Sequence, residues 1–384
     1  MRRAIKVRIY PTPEQKNTLA QVFGCCRFIF NKALTLKKER YEATKENLSW
    51  IEISRMLTVW KTEEATVWLA TPPSSSLIQS LRHLDVAYQR FFKQGTGYPK
   101  FKKKGNVQSF TVADPTKIVG NKIKLPKIEA MVIRGLRKFT GDIKNVTVTK
   151  NRANEYFASW SVDDVEPMTR PTTPVPKTVG IDVNLENFCT DSECLRVENP
   201  KFKKAKVNKI KHLQRVLSKK VKGSHGKEKA RVKLAKVFQG IDNCKKDFLH
   251  KLSSYYVKNY DTIAIEDLQI KNMIKNHCLA ESISNVAWGE FFRQLEYKAP
   301  WYGATVERKN PHNTSRECSD CGLVNKALTL KQRDWTCECG KHHVRDENAA
   351  KNINKRQRHC RQSLTEVPVS PGPMMLGDNK ASTM

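Results

Sequence analysis

Apolar positions recur at different periods along this chain, and each change of period marks an element. Residues 2–10 alternate charged and apolar side chains, which puts Ile5, Val7 and Ile9 on one face of a short half-buried strand. Thr12-Pro13-Glu14-Gln15 then opens a helix. Thr12 can cap it, Pro13 suits its first position, and Gln15 stands where a reciprocal capping box needs it. Leu19, Phe23, Cys26, Phe30 and Ala33 follow at helical spacing. A second helical region runs to about Leu69, where Thr71-Pro72-Pro73 breaks it, and Ser74 to Ser76 can start the next helix. There Leu77, Leu81, Leu84, Tyr88 and Phe91 form one apolar stripe, expected to be core.

From 95 to 165 the pattern shortens. Gly95, Gly97, Pro99, Gly105 and Gly120 punctuate it, while Val146 and Val148, then Tyr156, Ala158, Trp160 and Val162, alternate with polar residues, as in a small β-rich unit. The proline-rich stretch Pro167 to Pro176 reads as a linker. Thr178–Val183 and Thr262–Glu266 are continuous apolar runs of the kind buried strands show. Between them, 201–222 and 227–260 read as two basic helices joined through Gly223-Ser224-His225-Gly226, an antiparallel hairpin. A further helix over 286–299 and a strand over Gly303 to Val306 follow, and the residues from 358 onward read as a disordered tail.

Charge adds a partner to this picture. Lys and Arg number 70 against 38 Asp and Glu, a formal net charge of +32 in 384 residues. Such a surplus repels itself unless a polyanion neutralises it. Nucleic acid is therefore the expected partner, with steep salt dependence from counterion release. The basic run Lys100, Lys102, Lys103 and Lys104, with Tyr98 and Phe101 among its cations, could grip a backbone and stack on bases, or could be a solvated loop. The first residues hold no apolar signal segment, and no run approaches the ~18 apolar residues of a membrane span. The expected location is cytoplasmic, at the nucleoid, with no membrane partner.

Two acids end the buried runs: Asp182 after Val179-Gly180-Ile181, and Glu266 after Ile263-Ala264-Ile265. A third, Asp346, stands at the start of a helix running through Asn348 and Ile353. Buried carboxylates are costly unless they hold something positive, and three of them can hold a pair of divalent cations. Read singly, Asp346 could instead be a helix cap and Glu266 or Asp267 half of an ordinary ion pair. Cys318-Ser-Asp-Cys321-Gly322 and Cys337-Glu-Cys339-Gly340 form a zinc-ribbon pattern, with tetrahedral structural zinc as the expected metal. The second pair is C-x-C, one residue short of the usual knuckle, so His342 or His343 could replace Cys337 as a ligand.

Taken in order, these pieces resemble the TnpB proteins encoded by bacterial insertion sequences, relatives of type V CRISPR effectors. The resemblance covers residues 1–356 and rests on Arg8-Ile-Tyr-Pro11-Thr-Pro-Glu-Gln15, Cys26-Arg27-Phe28 through Asn31, Gly97-Tyr-Pro-Lys-Phe-Lys-Lys103 with Gln108-Ser-Phe110, Gly180-Ile-Asp182, Ile265-Glu266-Asp-Leu268, the cysteine pairs, and Arg345-Asp346-x-Asn348-Ala-Ala-x-Asn352-Ile353. It implies a multi-domain α/β chain. A β-rich barrel-like wedge domain would take 1–10 and 95–170, a helical recognition lobe 11–94, and a linker 171–177. A RuvC-type, RNase H-like nuclease domain would take 178–312 and 343–357, with a zinc ribbon over 313–342 inserted in it and a tail over 358–384. It implies catalytic Asp182, Glu266 and Asp346 holding two Mg²⁺, and zinc on Cys318, Cys321, Cys337 and Cys339. One protein copy would carry a transposon-derived omega RNA as guide and cut double-stranded DNA beside a short motif, read by Gln79 with Ser75 and Thr111 as further candidates. The sequence departs from the family's Asp-Arg-Asp at Val344-Arg345-Asp346. Two rivals stay open: an RNA-guided DNA-binding repressor that no longer cuts, and a transposase that joins strands itself.

Overall fold

A computed structural model describes residues 3–136, 139, 142–162, 175–329 and 332–356. Most of the expected linker and all of the expected tail lie outside the described residues. The chain runs through β1 (Arg3–Tyr10), α1 (Pro13–Thr44), α2 (Trp50–Trp60), α3 (Ser74–Gln94), β2 (Gln108–Val112), β3 (Lys117–Val119), β4 (Lys122–Leu125), β5 (Ile128–Arg134), β6 (Val146–Lys150) and β7 (Tyr156–Val162). It continues with β8 (Thr178–Val183), β9 (Asn187–Asp191), β10 (Arg196–Glu198), α4 (Val207–Ser218), α5 (His225–Asn259), β11 (Thr262–Glu266), α6 (Ile270–Met273), α7 (Ala280–Val286) and α8 (Trp288–Lys298). It closes with β12 (Thr305–Lys309), β13 (Asp334–Thr336), β14 (His342–Val344) and α9 (Arg345–Lys355).

Contacts divide the chain into two compact units. The first holds the described residues of 1–172, 200–259 and 289–304; the second holds those of 173–199, 260–288 and 305–384. The α4–α5 hairpin and most of α8 thus belong by contacts to the first unit, although in sequence they interrupt the second.

In the first unit, seven strands pair antiparallel in the order β2-β6-β7-β1-β5-β4-β3. The α1 start is the expected reciprocal cap: the Gln15 backbone donates to the Thr12 hydroxyl at 3.3 Å, and the Thr12 backbone donates to Gln15 Oε1 at 3.0 Å. A second such box, Ser49 with Glu52, starts α2. Leu19, Phe23, Cys26, Phe30 and Ala33 are buried as their spacing predicts, and Phe23 packs edge-on against Phe110 of β2 with centroids 5.2 Å apart. The α3 stripe differs from expectation. Leu77, Leu81 and Leu84 are core, but Tyr88 and Phe91 lie half-buried near the helix end, because the partners that cover the first turns do not extend that far. On the hairpin, Lys298 of α8 is buried against α5. Its ammonium donates to the His250 carbonyl at 2.9 Å and to the Ser253 and Ser254 hydroxyls at 2.7 and 2.9 Å, and burial pushes its pKa down to about 8.

In the second unit the sheet order is β10-β9-β8-β11-β12. β8, β11 and β12 run parallel; β9 and β10 join antiparallel. Val179 through Val183 are all buried, so β8 has cover on both faces, as its unbroken apolar run predicts. One cover is α9. It lies so close to β8 that a Cβ on Gly180 would sit 2.2 Å from the Ala350 carbonyl oxygen. Only a residue without a side chain admits that approach.

Candidate functional site

Strand register brings the first two acids together. Ile181 of β8 pairs in parallel with Ile265 of β11, and the next residues are Asp182 and Glu266. Paired positions of parallel neighbours face the same way, about 4.8 Å apart across the sheet. Asp182 is 8% and Glu266 7% exposed. The third acid arrives from α9, which packs on β8 and β11. Asp346 stands in the first turn of that helix, while Val344 is the N-cap and no side chain caps it. Asp346 is therefore not the helix cap its position allowed. Nor, among the described residues, is Glu266 half of an ion pair: that partner is Asp267, 3.2 Å from Arg308, whereas Glu266 Oε1 accepts from the Thr314 hydroxyl at 2.7 Å.

The electrostatics bind the three into one group. Burial, then the charges of Glu266 and Asp346, hold the Asp182 carboxyl well above the usual carboxylate range, with Arg345 and a hydrogen bond from Asn184 opposing them. Burial also raises Glu266, and the Thr314 hydroxyl offsets part of that rise. Asn184 donates to Asp346 Oδ2 at 3.1 Å. Arg333 reaches Asp346 at 3.5 Å and Glu186 at 2.8 Å. Among the described residues the three carboxylates do not gather within 4.8 Å of one another.

The cysteines do gather. The sulfurs of Cys318, Cys321, Cys337 and Cys339 all lie within 4.8 Å of one another, a group that could hold a metal ion. Cys318 and Cys339 are 3.8 Å apart, Cys321 and Cys337 3.5 Å. A tetrahedral zinc with bonds near 2.3 Å needs sulfur–sulfur edges of about 3.8 Å. Both members of the short C-x-C pair are in the cluster. His342 is exposed, but His343 is buried, packs at a tilt against Trp335 with centroids 4.9 Å apart, and puts Nε2 3.0 Å from Cys318 Sγ. Burial works to raise the Cys318 thiol, but hydrogen bonds, chiefly from the backbone of Cys321 and Asp320, bring it down to about 6. Two asparagines fasten this cluster to the helix that carries Asp346. Asn348 accepts from the Ser319 backbone at 2.8 Å and donates to the Glu317 carbonyl at 2.7 Å, and Asn352 donates to the carbonyls of Thr314 and Glu317.

The remaining candidates lie in the first unit. Ser75 on α3 donates to Asp114 at 2.5 Å, Gln79 is half-buried one turn on, and the hydroxyls of Thr111 and Thr147 are 2.8 Å apart. Lys100, Lys103 and Lys104 are exposed. Lys102 is drawn inward, its ammonium 4.1 Å over the Phe30 ring, and burial lowers its pKa. Sequence reasoning passed over Asn184, Thr314 and Arg333. Only the buried pair Asn348 and Asn352, polar residues one turn apart in an apolar helix face, carried a signal.

A mixed sheet with buried carboxylates at its strand ends and a thiol cluster in the same unit defines a multi-unit α/β protein. Over 92% of the chain the fold matches a Cas12f1 solved as "Cryo-EM structure of the Cas12f1-sgRNA-target DNA complex", covering 98% of that chain, with a TM-score of 0.57 at 14% identity. Family models place a Cas12f1-like TNB domain on residues 288–353, a probable transposase of the OrfB_IS605 type on 159–277, and a helix-turn-helix domain on 1–46. Residues 13–44 nevertheless form one unbroken helix here. Two relatives bear the name "Putative RNA-guided DNA endonuclease". One, from Streptomyces pristinaespiralis, is 37% identical over 92% of this chain and 89% of its own length. The other, InsQ of Escherichia coli K12, is 33% identical over 91% of each. The chain belongs to the TnpB family of IS605-type insertion sequences. Among the described residues no helix is long and apolar enough to cross a membrane.

Proposed function

We propose that this chain is a transposon-encoded, RNA-guided DNA endonuclease that cuts double-stranded DNA beside a short motif. The observation that carries the reading is the grouping at Asp182, which register sets beside Glu266 at a strand end and whose carboxyl is raised by burial first and then by Glu266 and Asp346. Such repulsion is a standing cost that divalent cations would relieve. Asp182, Glu266 and Asp346 would hold two Mg²⁺, which supply water activation and charge neutralisation at a phosphodiester. Thr314 orients Glu266, Asn184 bonds Asp182 and Asp346, and Arg333 offsets part of the negative charge at Asp346. In this reading the second unit is the RuvC-type nuclease, and the cysteine cluster is a zinc ribbon whose closed ligand set makes it structural. The first unit would supply the helical recognition lobe and the wedge. Ser75, Gln79 and Thr111 would read the motif, and Lys100, Lys103 and Lys104 would contact backbones; Lys102 would brace their loop.

Guide RNA pairing would read the target while the protein grips the heteroduplex, which gives the net charge of +32 a use. The test is plasmid cleavage by purified protein. Cutting at a matched site only with both its RNA and Mg²⁺ is the expected result. Strand joining without RNA would overturn the proposal in favour of a transposase, and guided binding without cutting would favour a repressor.

A further inference from the structure

The end of α3 carries aromatic rings to which the nuclease reading gives no role, beside lysines that it places on nucleic-acid backbones. Tyr88, Phe91 and Phe92 meet Tyr98 of the following loop: centroids are 5.0 Å apart for Phe91–Phe92, 5.5 Å for Phe91–Tyr98 and 5.6 Å for Tyr88–Tyr98. Within this group Phe92 is 76% and Tyr98 44% exposed; Phe101, 54% exposed, follows three residues on in the same loop. A contiguous exposed aromatic group of this kind marks an interaction site, whereas scattered single residues do not.

The loop holding Tyr98 and Phe101 is pinned from inside. The Asn31 amide exchanges two hydrogen bonds with the Lys102 backbone, at 2.8 and 3.0 Å. Gln108 Nε2 donates to the carbonyls of Lys103, Lys104 and Asn106 at 3.1, 3.1 and 2.9 Å, and Gln108 Oε1 accepts from Arg27 at 2.7 Å. Its shape is therefore set before any ligand arrives, and little ordering entropy is left for binding to overcome. Exposed Arg90, Lys93, Lys100 and Lys103 accompany the rings on the same two segments. Cations of one sign beside exposed ring faces fit an anionic strand with unpaired bases. The Tyr88 and Tyr98 hydroxyls bond each other at 2.8 Å. That leaves one hydroxyl proton and several lone pairs for a further partner, as a ribose 2′-hydroxyl would require.

We propose that Phe91, Phe92, Tyr98 and Phe101, with these cations, form a stacking platform for unpaired bases of single-stranded RNA. It rests on the reading of the chain as an RNA carrier, not on its cutting DNA. The full-length protein, freed of co-purified RNA, is titrated with a labelled oligouridylate of about 12 nucleotides and with the matching deoxyribo-oligomer. Phe92→Ala should weaken the RNA complex about tenfold, and because the side chain is exposed its melting temperature should match the wild type. Phe92→Trp should keep the affinity and add an indole whose emission is quenched on binding. Tyr98→Phe should lose the preference for RNA over DNA.

Unchanged affinity in Phe92→Ala overturns the platform, and equal wild-type affinity for DNA overturns its assignment to RNA. If the wild type cuts guided plasmid while Phe92→Ala binds RNA as tightly, the platform alone fails. If all the binding effects appear but the wild type never cuts, the nuclease reading alone fails.

Discussion

The cysteine cluster and the carboxylate cluster sit in one unit, fastened to one helix, and are built on opposite electrostatics. Four cysteine sulfurs crowd within 4.8 Å of one another, and hydrogen bonds bring the Cys318 thiol down to about 6. Among the described residues the three carboxylates are not gathered that closely, and Asp182 has its carboxyl raised by burial and then by its neighbours' charges. A closed set of thiolates suits an ion that shapes the chain, whereas spaced acids suit ions that must also meet a substrate. The comparison teaches that packing and hydrogen bonds can assemble the first kind of site, while the second keeps a mutual repulsion that a proton or a bound cation would relieve.

The contrast can be broken most sharply at Asp182. Asp182→Ala should lower cleavage by roughly a thousandfold or more, on the scale of removing a group that meets charge in the transition state, and leave target binding nearly intact in a mobility-shift assay. Equal loss of both would mean that the residue grips nucleic acid instead. At the other cluster, Cys321→Ser should remove zinc from the purified protein and lower its melting temperature. Structural zinc is worth ~10–16 kcal/mol in small domains, and losing even about 3 kcal/mol would shift the midpoint by about 6–12 °C. Full activity from a zinc-free wild type would refute this.

Chelation should separate the two sites by reversibility. Brief EDTA treatment should stop cleavage until Mg²⁺ is restored, with the fold unchanged by circular dichroism. Stripping zinc should instead broaden the unfolding transition; if both treatments act alike, the assigned division of labour is wrong. The smallest effect belongs to Thr314→Val, which keeps shape but deletes the hydroxyl on Glu266. Losing one hydrogen bond to a charged group should cost activity about tenfold and raise the Mg²⁺ needed for half-maximal rate. A variant indistinguishable from wild type in both would show that Thr314 does not orient the acid.

Much of this was legible in local pattern. The capping residues Thr12 and Gln15, the buried runs ending in Asp182 and Glu266, and the paired cysteines each announce themselves, because each needs particular residue types at short spacing. The α3 stripe misled at Tyr88 and Phe91, since periodicity fixes which side of a helix is apolar but not how far its cover extends. Asn184, Thr314 and Arg333 were silent, because single polar residues in loops acquire a role only from what folds against them.

By itself, then, the sequence determined the order of elements, the positive charge, the three acids and the four thiols, all properties of residue type and short-range spacing. Tertiary structure decided which of them meet. Parallel register set Asp182 beside Glu266, and the absent side chain of Gly180 let α9 lie on β8. Asn348 and Asn352 then tied the cysteine segment to the helix bearing Asp346. Such contacts span as much as the 170 residues of chain between Gly180 and Ala350, and no local rule of spacing reaches that far.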